Sequence, residues 1–461
     1  MMKKDNICAL ATASGMGAIA VIRVSGPDAI ALCTPIFKSV KEGKSLLDQK
    51  THTIHLGTIM EGNQLVDEVL VSVFKGPNSY TGENIVEISC HGSNYIQQQI
   101  LQLLIKNGCR NAEPGEFTFR AFINGKMDLS QAEAVADLIA SSNEKSHDLA
   151  LSQMRGGFSS EIQGLRKELI KFASLIELEL DFSTEDVEFA DRKELDRLLN
   201  RLKMVLRKLV DSFALGNVLK NGIPVAIVGE PNVGKSTLLN TLLNEERAIV
   251  SEIAGTTRDT IEDELVIEGM SFRFIDTAGI RDTQDVIETI GIEKTFEKIK
   301  QAKVVLYLFD ASTANSETLH AEIKKLEEHT MGKQLIAVAN KVDKGDVQSI
   351  KSSFGDLPNV LFISAKHKEN VERLKDLLTH QVKQGLLNND DVIISNSRHF
   401  EALSKALEYV VQVQDGLSVG VSGDLLAMDI RESLHNLGEI TGEITTDDLL
   451  DSIFRDFCIG K

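Results

Sequence analysis

The segment Gly229-Glu-Pro-Asn-Val-Gly-Lys-Ser236 has the residue types and spacing of a phosphate-binding loop. It follows an apolar run, Ile223 to Val228, that predicts a strand, and it precedes a helix pattern at Thr237 to Leu243. In that context backbone N–H groups and the positive helix end converge on one anion. The lysine reaches the β- and γ-phosphates and the serine hydroxyl is placed to bind Mg²⁺. Because this spacing constrains only four positions, it can also occur by chance. Further motifs in the chain are needed to indicate nucleotide binding.

Three further segments, each after a short apolar run, follow in the order of a guanine-nucleotide domain. In Asp276-Thr-Ala-Gly279 the Asp276 carboxylate is placed to hold Mg²⁺ through water, and the Gly279 N–H is placed to meet a γ-phosphate. In Asn340-Lys-Val-Asp343 the carboxylate accepts from N1–H and N2–H₂ of guanine, a donor pair that adenine lacks. A backbone N–H of Ser364-Ala-Lys366 would meet guanine O6. Each segment alone is equally an ordinary strand-to-turn junction, but four in order predict a GTP-binding domain.

Between the first two motifs lies Ser251-Glu-Ile-Ala-Gly-Thr-Thr-Arg-Asp259, a polar stretch with little periodicity. In a GTPase this position is a switch ordered by γ-phosphate and Mg²⁺, with Thr257 as the expected hydroxyl ligand. Ras-type GTPases carry a water-orienting Gln just after the second motif. Here Ile280 stands there and can neither donate nor accept a hydrogen bond, so the sequence predicts another means of catalysis.

Two substitutes are visible. The side-chain oxygen of Asn232 could hold a monovalent cation that bridges the β- and γ-phosphates, doing the electrostatic work of an arginine finger. The acidic residues Asp282, Asp285 and Glu288 are the other candidates. The alternative interpretation is equally open from chemistry alone: Asn232 braces the loop and Glu288 is a solvated helix residue.

Composition limits what surrounds this domain. With 461 residues the chain is too long for one GTPase domain. A net charge of −18 argues against a broad basic surface for nucleic acid, so any RNA contact is expected to be local or supplied by a partner. Five cysteines without paired spacing predict neither a metal site nor a disulfide framework, and indicate a reducing, cytoplasmic compartment. We find no signal peptide and no apolar run that would span a membrane.

The predicted fold class is multidomain α/β plus all-α. Alternating strand patterns with two helix patterns, Asp28 to Phe37 and Ser93 to Lys106, predict a small α+β domain over 1–122. Apolar residues at helical spacing predict a helical bundle domain in two parts, 123–217 and 383–461, with a capping box at Ser130-Gln-Ala-Glu133. The P-loop GTPase domain, with a doubly wound and mostly parallel sheet, is inserted between them over 218–382.

These residues resemble, over the whole chain, the bacterial and organellar tRNA-modification GTPases known as MnmE or TrmE. Other GTPases share the central motifs. Features specific to this family are Gly76-Pro-Asn-Ser, Pro114-Gly-Glu-Phe and the terminal Cys458-Ile-Gly-Lys461. The resemblance implies a K⁺-dependent GTPase whose GTP-binding domains dimerise during hydrolysis, with Glu288 orienting the attacking water.

The motifs and the resemblance together assign ligand sites by position. K⁺ is assigned to Asn232, Ser251, Ile253 and Thr256, and Mg²⁺ to Ser236 and Thr257. The residues assigned to GTP are Asn232, Val233, Gly234, Lys235, Ser236, Thr237, Ser251, Glu252, Ile253, Ala254, Gly255, Thr256, Thr257, Asp276, Thr277, Ala278, Gly279, Asn340, Lys341, Asp343, Ser364, Ala365 and Lys366.

The resemblance also implies that the N-terminal domain is a homodimerisation and folate-binding module. Arg23, Glu87, Lys126 and Lys461 match positions that contact a 5-formyl-tetrahydrofolate-type ligand. A carboxylate suits the pterin edge and basic groups suit the glutamyl tail, although each of the four alone would be an ordinary surface charge. For Cys458 a nucleophilic role and a purely structural one both stay open.

The implied reaction places an aminomethyl or carboxymethylaminomethyl group on C5 of the wobble uridine, U34, of certain tRNAs. It requires an FAD-dependent partner of the MnmG or GidA type, which makes most of the tRNA contacts, and 5,10-methylene-tetrahydrofolate as one-carbon source. Two alternative functions stay open from the sequence. One is a ribosome-assembly GTPase, which would usually carry a basic RNA-binding appendage that this chain lacks. The other is a regulatory scaffold in which GTP only sets dimer geometry.

Overall fold

The computed structural model describes residues 5–181, 192–246, 263–275, 299–330, 333–354, 360–385, 392–455 and 457–460. These residues form two compact units. The first comprises 1–139, 152–199 and 408–461, and the second comprises 140–151 and 200–407. Within the described residues no helix is both long enough and apolar enough to cross a membrane.

A seven-stranded sheet opens the first unit. Its strands are β1 (Asn6–Leu10), β2 (Ile19–Gly26), β3 (Phe37–Ser39), β4 (Thr53–Glu61), β5 (Gln64–Phe74), β6 (Asn84–His91) and β7 (Cys109–Asn111). They lie in the order β3-β4-β5-β6-β2-β1-β7, and only the β1–β7 pair is parallel. Helices α1 (Ala29–Cys33) and α2 (Asn94–Lys106) contribute to the core beneath it. Alternating residues such as Ile22 and Val24 of β2 are fully buried there, as a half-covered sheet requires.

The predicted helix Asp28 to Phe37 is wrong at its C-terminal end. The helix ends at Cys33 and Phe37 already begins β3. Pro35 has no N–H to donate into the helical ladder, so the chain leaves the helix before it.

Five helices follow: α3 (Glu116–Ile123), α4 (Leu129–Ala140), α5 (Glu144–Met154), α6 (Gly157–Asp181) and α7 (Arg192–Asn221). The capping box at the start of α4 lies two residues before the predicted Ser130 box. Asp128 Oδ1 accepts from the Gln131 N–H at 3.0 Å, and Gln131 Oε1 accepts from the Asp128 N–H at 3.0 Å. The Ser130 hydroxyl is instead buried against Ser159 at 2.7 Å. Residues 128–131 and residues 130–133 both fit the capping pattern. Because Ser130 is buried against Ser159, the cap is formed by residues 128–131.

The second unit contains a six-stranded sheet. Its strands are β8 (Ile223–Val228), β9 (Asp263–Ile267), β10 (Met270–Phe274), β11 (Val304–Asp310), β12 (Gln334–Asn340) and β13 (Val360–Phe362). The helices between and after them are α8 (Lys235–Glu246), α9 (Ser316–His329), α10 (Val347–Phe354) and α11 (Val371–Gly385). The strand order is β13-β12-β11-β8-β10-β9, parallel except for the β9–β10 pair.

Helices cover both faces of this sheet. Val225 and Ile227 of β8 pack in one core with Leu238 of α8, whereas Ala226 lies in a second core with Leu319 of α9. Strands buried on both faces are the near-continuous apolar runs seen in the sequence. Because parallel strands end at the same edge, the loops after β8, β11, β12 and β13 converge there.

Three helices close the described chain: α12 (Ser397–Val419), α13 (Gly423–Thr441) and α14 (Asp447–Arg455). Helices α6 and α13 pack together, and Arg166 of α6 donates to the carbonyl of Leu434 and pairs with Glu443. The predicted fold class of α/β and helical parts is confirmed. The predicted domain boundaries at 122, 217 and 382 stay predictions.

Candidate functional site

The loop between β8 and α8 has a backbone that only glycine tolerates at two points. A Cβ on Gly229, where φ is +151°, would lie 2.0 Å from the carbonyl oxygen of Leu308. A Cβ on Gly234, where φ is +102°, would lie 2.3 Å from Nδ2 of Asn340. Both positions therefore require glycine because neighbouring strands lie close against the loop.

Asn232 sits at the exposed crest of this loop in the left-handed region, with φ of +63°. Asn is among the few residues with a side chain that visit this region. Lys235, the first residue of α8, donates from Nζ to the carbonyls of Gly229 at 2.7 Å and Glu230 at 3.1 Å, so its ammonium lies over the loop. Ser236 follows at the helix N-terminus, where helix dipole and free N–H groups favour an anion.

Asn340 at the end of β12 joins two of the predicted motifs. The residue is 98 % buried, and its side-chain amide donates to the carbonyl of Val233 at 2.8 Å and accepts from the N–H of Ala365 at 3.0 Å. Thr241 of α8 adds a hydrogen bond to the Ala365 carbonyl at 2.9 Å. The phosphate loop and the segment after β13 are thereby fixed to each other. Sequence reasoning did not identify Thr241, because its partner lies 124 residues away.

Lys341 is the second link. Its Nζ donates to the carbonyl of Asn232 at 2.6 Å and to Oδ2 of Asp310 at 2.8 Å. Burial raises the pKa of the Asp310 carboxyl, but hydrogen bonds from Lys341 and Ser312 outweigh that effect and leave the pKa below its usual value. Asp310, the last residue of β11, was also missed from the sequence. The signal that could have found it is an acidic residue ending a buried strand.

The predicted base-recognition residues lie together at the same edge. The Ser364 hydroxyl donates to Oδ1 of Asp343 at 2.6 Å and holds the pKa of that carboxyl below its usual value. The ionised form is the one that accepts two hydrogen bonds from a base edge. Since Ala365 N–H is engaged by Asn340, the N–H of Lys366, which has no hydrogen-bond partner among the described residues, is the donor left for a base oxygen.

Other predicted site residues lie outside the described residues. They are Ser251, Glu252, Ile253, Ala254, Gly255, Thr256, Thr257, Asp276, Thr277, Ala278, Gly279, Glu288 and Lys461. Within the part of the chain that is described, no group of three or more His, Cys, Asp or Glu side chains is placed to hold a metal ion.

In the first unit, the predicted folate residues Arg23 and Glu87 form an ion pair across β2 and β6, with Nε–Oε1 at 2.8 Å. Arg23 Nη1 also donates to the carbonyl of Gly460 at 3.4 Å, next to the predicted Lys461. The rings of Tyr80 and Phe117 lie 5.5 Å from the guanidinium carbon. The Arg23 side chain is 19 % exposed, so a partly open, charged and aromatic recess surrounds it.

The fourth predicted residue, Lys126, contacts the turn formed by residues 76–83, which carries Tyr80. Lys126 Nζ donates to the carbonyl of Pro77 at 2.9 Å. Asn124 fixes the same turn by donating to the Thr81 carbonyl at 2.7 Å. One turn therefore connects Lys126 with the ring that packs on Arg23.

The Pro114-Gly-Glu-Phe segment supports this recess. Glu116 accepts from Arg110 at 2.6 Å and from Arg120 at 2.9 Å, and Arg120 also donates to Glu83 at the end of the turn at 3.2 Å. A Cβ on Gly115, where φ is +67°, would lie 2.8 Å from the carbonyl of Phe454. The C-terminal segment thus packs directly on this motif. The Arg120 network could not be predicted from the sequence, since its partners lie up to 115 residues away.

Comparison with known proteins gives matches across the chain. Residues 6–126 match the family model described as GTP-binding protein TrmE N-terminus, and residues 129–458 match that of the MnmE helical domain. The chain is 60 % identical over 463 residues to a protein of Flavobacterium psychrophilum, with all of both chains covered. It is 61 % identical over 475 residues to one of Christiangramia forsetii and 54 % over 471 to one of Bacteroides thetaiotaomicron, again with full coverage. All three are named tRNA modification GTPase MnmE.

Proposed function

The chain belongs to the MnmE family of tRNA modification GTPases, and from this premise we propose a more specific activity. It is a K⁺-dependent, dimerisation-activated GTPase that acts in the cytoplasm with an FAD-dependent partner of the MnmG or GidA type. Together they add an aminomethyl or carboxymethylaminomethyl group to C5 of the wobble uridine, U34, of certain tRNAs. The one-carbon unit comes from a tetrahydrofolate derivative. The observation that carries the proposal is the pair of preorganised sites, around Asn232 and around Arg23.

At the nucleotide site, the shape of the loop supports the cation assignment. Asn232 is exposed, and the amide side chain of a residue at the crest is free to turn toward a bound nucleotide. A carboxamide oxygen is a suitable K⁺ ligand, and Ser251, Ile253 and Thr256 are proposed to complete the site. A bound K⁺ would supply positive charge between the β- and γ-phosphates. Lys341 holds the backbone of the loop in place by donating a hydrogen bond to the Asn232 carbonyl.

The remaining nucleotide contacts follow from the same edge of the sheet. Ser236 is proposed to bind Mg²⁺ together with Thr257, and Lys235 to contact the phosphates. Asp343, already ionised and oriented by Ser364, is proposed to select guanine. Glu288 is proposed to orient the attacking water, which Ile280 cannot do.

The recess around Arg23 supports folate binding. It offers a carboxylate, Glu87, for the donor edge of a pterin ring, and the face of Tyr80 for stacking. Lys126 and Lys461 would then pair with the glutamyl carboxylates. A bound folate would supply the one-carbon unit, and the chain itself would bind and orient it.

Dimerisation is supported by an apolar patch on the outer face of β4 and β5. Leu56 and Leu70 are directly paired across the two strands, and they are 56 % and 46 % exposed. Ile54, two residues before Leu56 on the same face, is 67 % exposed. An exposed cluster of this kind on a sheet face is typical of a protein interface. Replacing Leu56 by Asp is expected to convert dimers to monomers in sedimentation experiments.

Mass spectrometry of wobble uridines tests the function itself. Cells lacking this protein should lose the C5 modification, and the wild-type gene should restore it. Lys235→Ala, which removes a phosphate contact, should not restore it. Glu113→Gln, which changes an exposed carboxylate outside both sites, is the matched control and should restore the modification. Unchanged nucleosides in the deletion strain would refute the proposal and favour a switch GTPase that acts elsewhere.

A further inference from the structure

A polar cavity of about 660 Å³ lies in the second unit, at the opposite edge of its sheet from the phosphate loop. Its walls include Gly222 and Pro224 at the start of β8 and Lys303, the residue before β11, together with the C-terminal end of α7. The phosphate loop begins where β8 ends. Since a strand of six residues rises about 3.3 Å per residue, the two sites are roughly 20 Å apart.

The charge of this cavity is positive although the chain is strongly acidic. Lys220, Arg273 and Lys303 line it, and Glu264 is the one acidic residue in its lining. The side-chain amides of Asn217, Asn221 and Gln301, which are exposed or half-buried, add further hydrogen-bonding groups. In a chain with net charge −18, a local excess of two positive charges in a concave site favours an anionic ligand.

Two buried polar groups in the wall have unused hydrogen-bonding capacity. Asn143 is 91 % buried, and its Oδ1 caps α5 by accepting from the Ser146 N–H at 2.9 Å. Its Nδ2 donates to no described residue, and neither does the hydroxyl of Ser271, a residue 95 % buried. Burying such groups without partners costs free energy, so a ligand that accepts from them is stabilised.

We propose that this cavity binds the phosphate group of a small molecule. Arg273 and Lys303 pair with the phosphate oxygens, and Asn143 and Ser271 donate the neutral hydrogen bonds. The cavity is larger than a phosphate ion, which leaves room for an organic part next to the side-chain amides.

Calorimetric titration of the full chain tests this proposal. The protein is first saturated with GDP, so that the phosphate loop is occupied, and inorganic phosphate is then added at constant ionic strength. AMP, whose base Asp343 does not select, is the second probe. Saturable binding of either probe supports the site, and tighter binding of AMP identifies a phosphorylated organic molecule rather than the free ion. No saturable binding of either probe up to roughly 10 mM, the range of a weak specific site, overturns the proposal.

Variants place the binding in the cavity. Arg273→Gln is expected to weaken it about tenfold, since a charge-assisted pair is lost. Lys303→Gln, at an exposed position, is expected to weaken the binding about threefold. Lys351→Gln, an exposed lysine on α10 outside the cavity, should bind as the wild type does. Equal affinity in Lys303→Gln, Arg273→Gln and the control would assign the binding elsewhere and overturn the proposal.

Discussion

The ammonium of Lys341 lies 2.6 Å from the carbonyl oxygen of Asn232 and 2.8 Å from a carboxylate oxygen of Asp310. Three consecutive strand ends of the sheet, those of β8, β11 and β12, are therefore joined through one side chain. The loop residue proposed to bind K⁺ is fixed at its backbone and exposed at its side chain. This arrangement preorganises the loop while leaving the amide oxygen available.

Asp310→Asn should weaken nucleotide binding although Asp310 acts only through Lys341 and does not itself contact the nucleotide. The substitution removes the negative charge that orients Lys341, at a pair whose side chains are 15 % and 23 % exposed. A charge-assisted hydrogen bond of this kind contributes about 1 kcal/mol or more, so GDP dissociation is expected to accelerate about fivefold to tenfold. Stopped-flow release of a fluorescent GDP measures this rate. Asp211→Asn, on the exposed side of α7, is the control, and an unchanged rate in Asp310→Asn would contradict the positioning role.

Asp343→Asn should change the preferred base from guanine to xanthine. An amide both donates and accepts, so it matches the carbonyl of xanthine at C2 and no longer accepts from two guanine donors. GDP affinity is expected to fall at least about a hundredfold, because an unpaired buried donor is penalised, whereas XDP affinity rises. Competition binding with GDP and XDP measures both. Retained preference for GDP would mean that another residue recognises the base.

Arg23→Met should reduce folate affinity while leaving GTP hydrolysis intact. The variant loses the charge paired with Glu87 and the contact with Gly460, and a hydrogen bond to a charged group contributes about 1.5–3 kcal/mol, or roughly tenfold to a hundredfold in affinity. Calorimetry with 5-formyl-tetrahydrofolate measures the loss. Lys38→Gln on β3 is the matched surface control. Wild-type affinity in Arg23→Met would place the folate site elsewhere.

Stability should fall at acid pH through Glu116. Burial raises the pKa of this carboxyl, but hydrogen bonds from Arg110, from the Glu113 N–H and from Arg120 lower it below 4.5 overall. Because the unfolded carboxyl then binds protons more readily, this stabilisation is complete above about pH 4.5 and is lost as the pH falls through the folded pKa.

Glu116→Gln should flatten that pH dependence. At neutral pH it should cost about 2–4 kcal/mol, since Arg120 is left buried with one fewer charged partner. Urea unfolding between pH 3.5 and 7 gives both quantities. Glu113→Gln, an exposed neighbour, serves as control. An unchanged slope in Glu116→Gln would show that other groups govern acid unfolding.

The sequence predicted local features well and distant contacts poorly. The strand Ile223 to Val228 was predicted with its observed bounds, because a buried apolar run followed by a glycine loop leaves few alternatives. The capping box was misplaced because two neighbouring segments both fit the pattern, and only burial of Ser130 distinguished them. Arg120 and the contact of Arg23 with Gly460, 437 residues apart, depend on tertiary structure and left no local signal. Asp310 left only the signal of an acidic residue that ends a buried strand.

A K⁺ ion held by Asn232 is proposed to activate GTP hydrolysis, and this role is tested by comparing GTP turnover in KCl and in NaCl. At equal ionic strength the wild type should be faster in KCl by about tenfold or more, the range of one well-placed charge in a transition state. Asn232→Ala should be slow and equal in both salts. Equal wild-type rates in KCl and NaCl, or a K⁺ preference that survives in Asn232→Ala, would show that Asn232 does not hold an activating K⁺ ion.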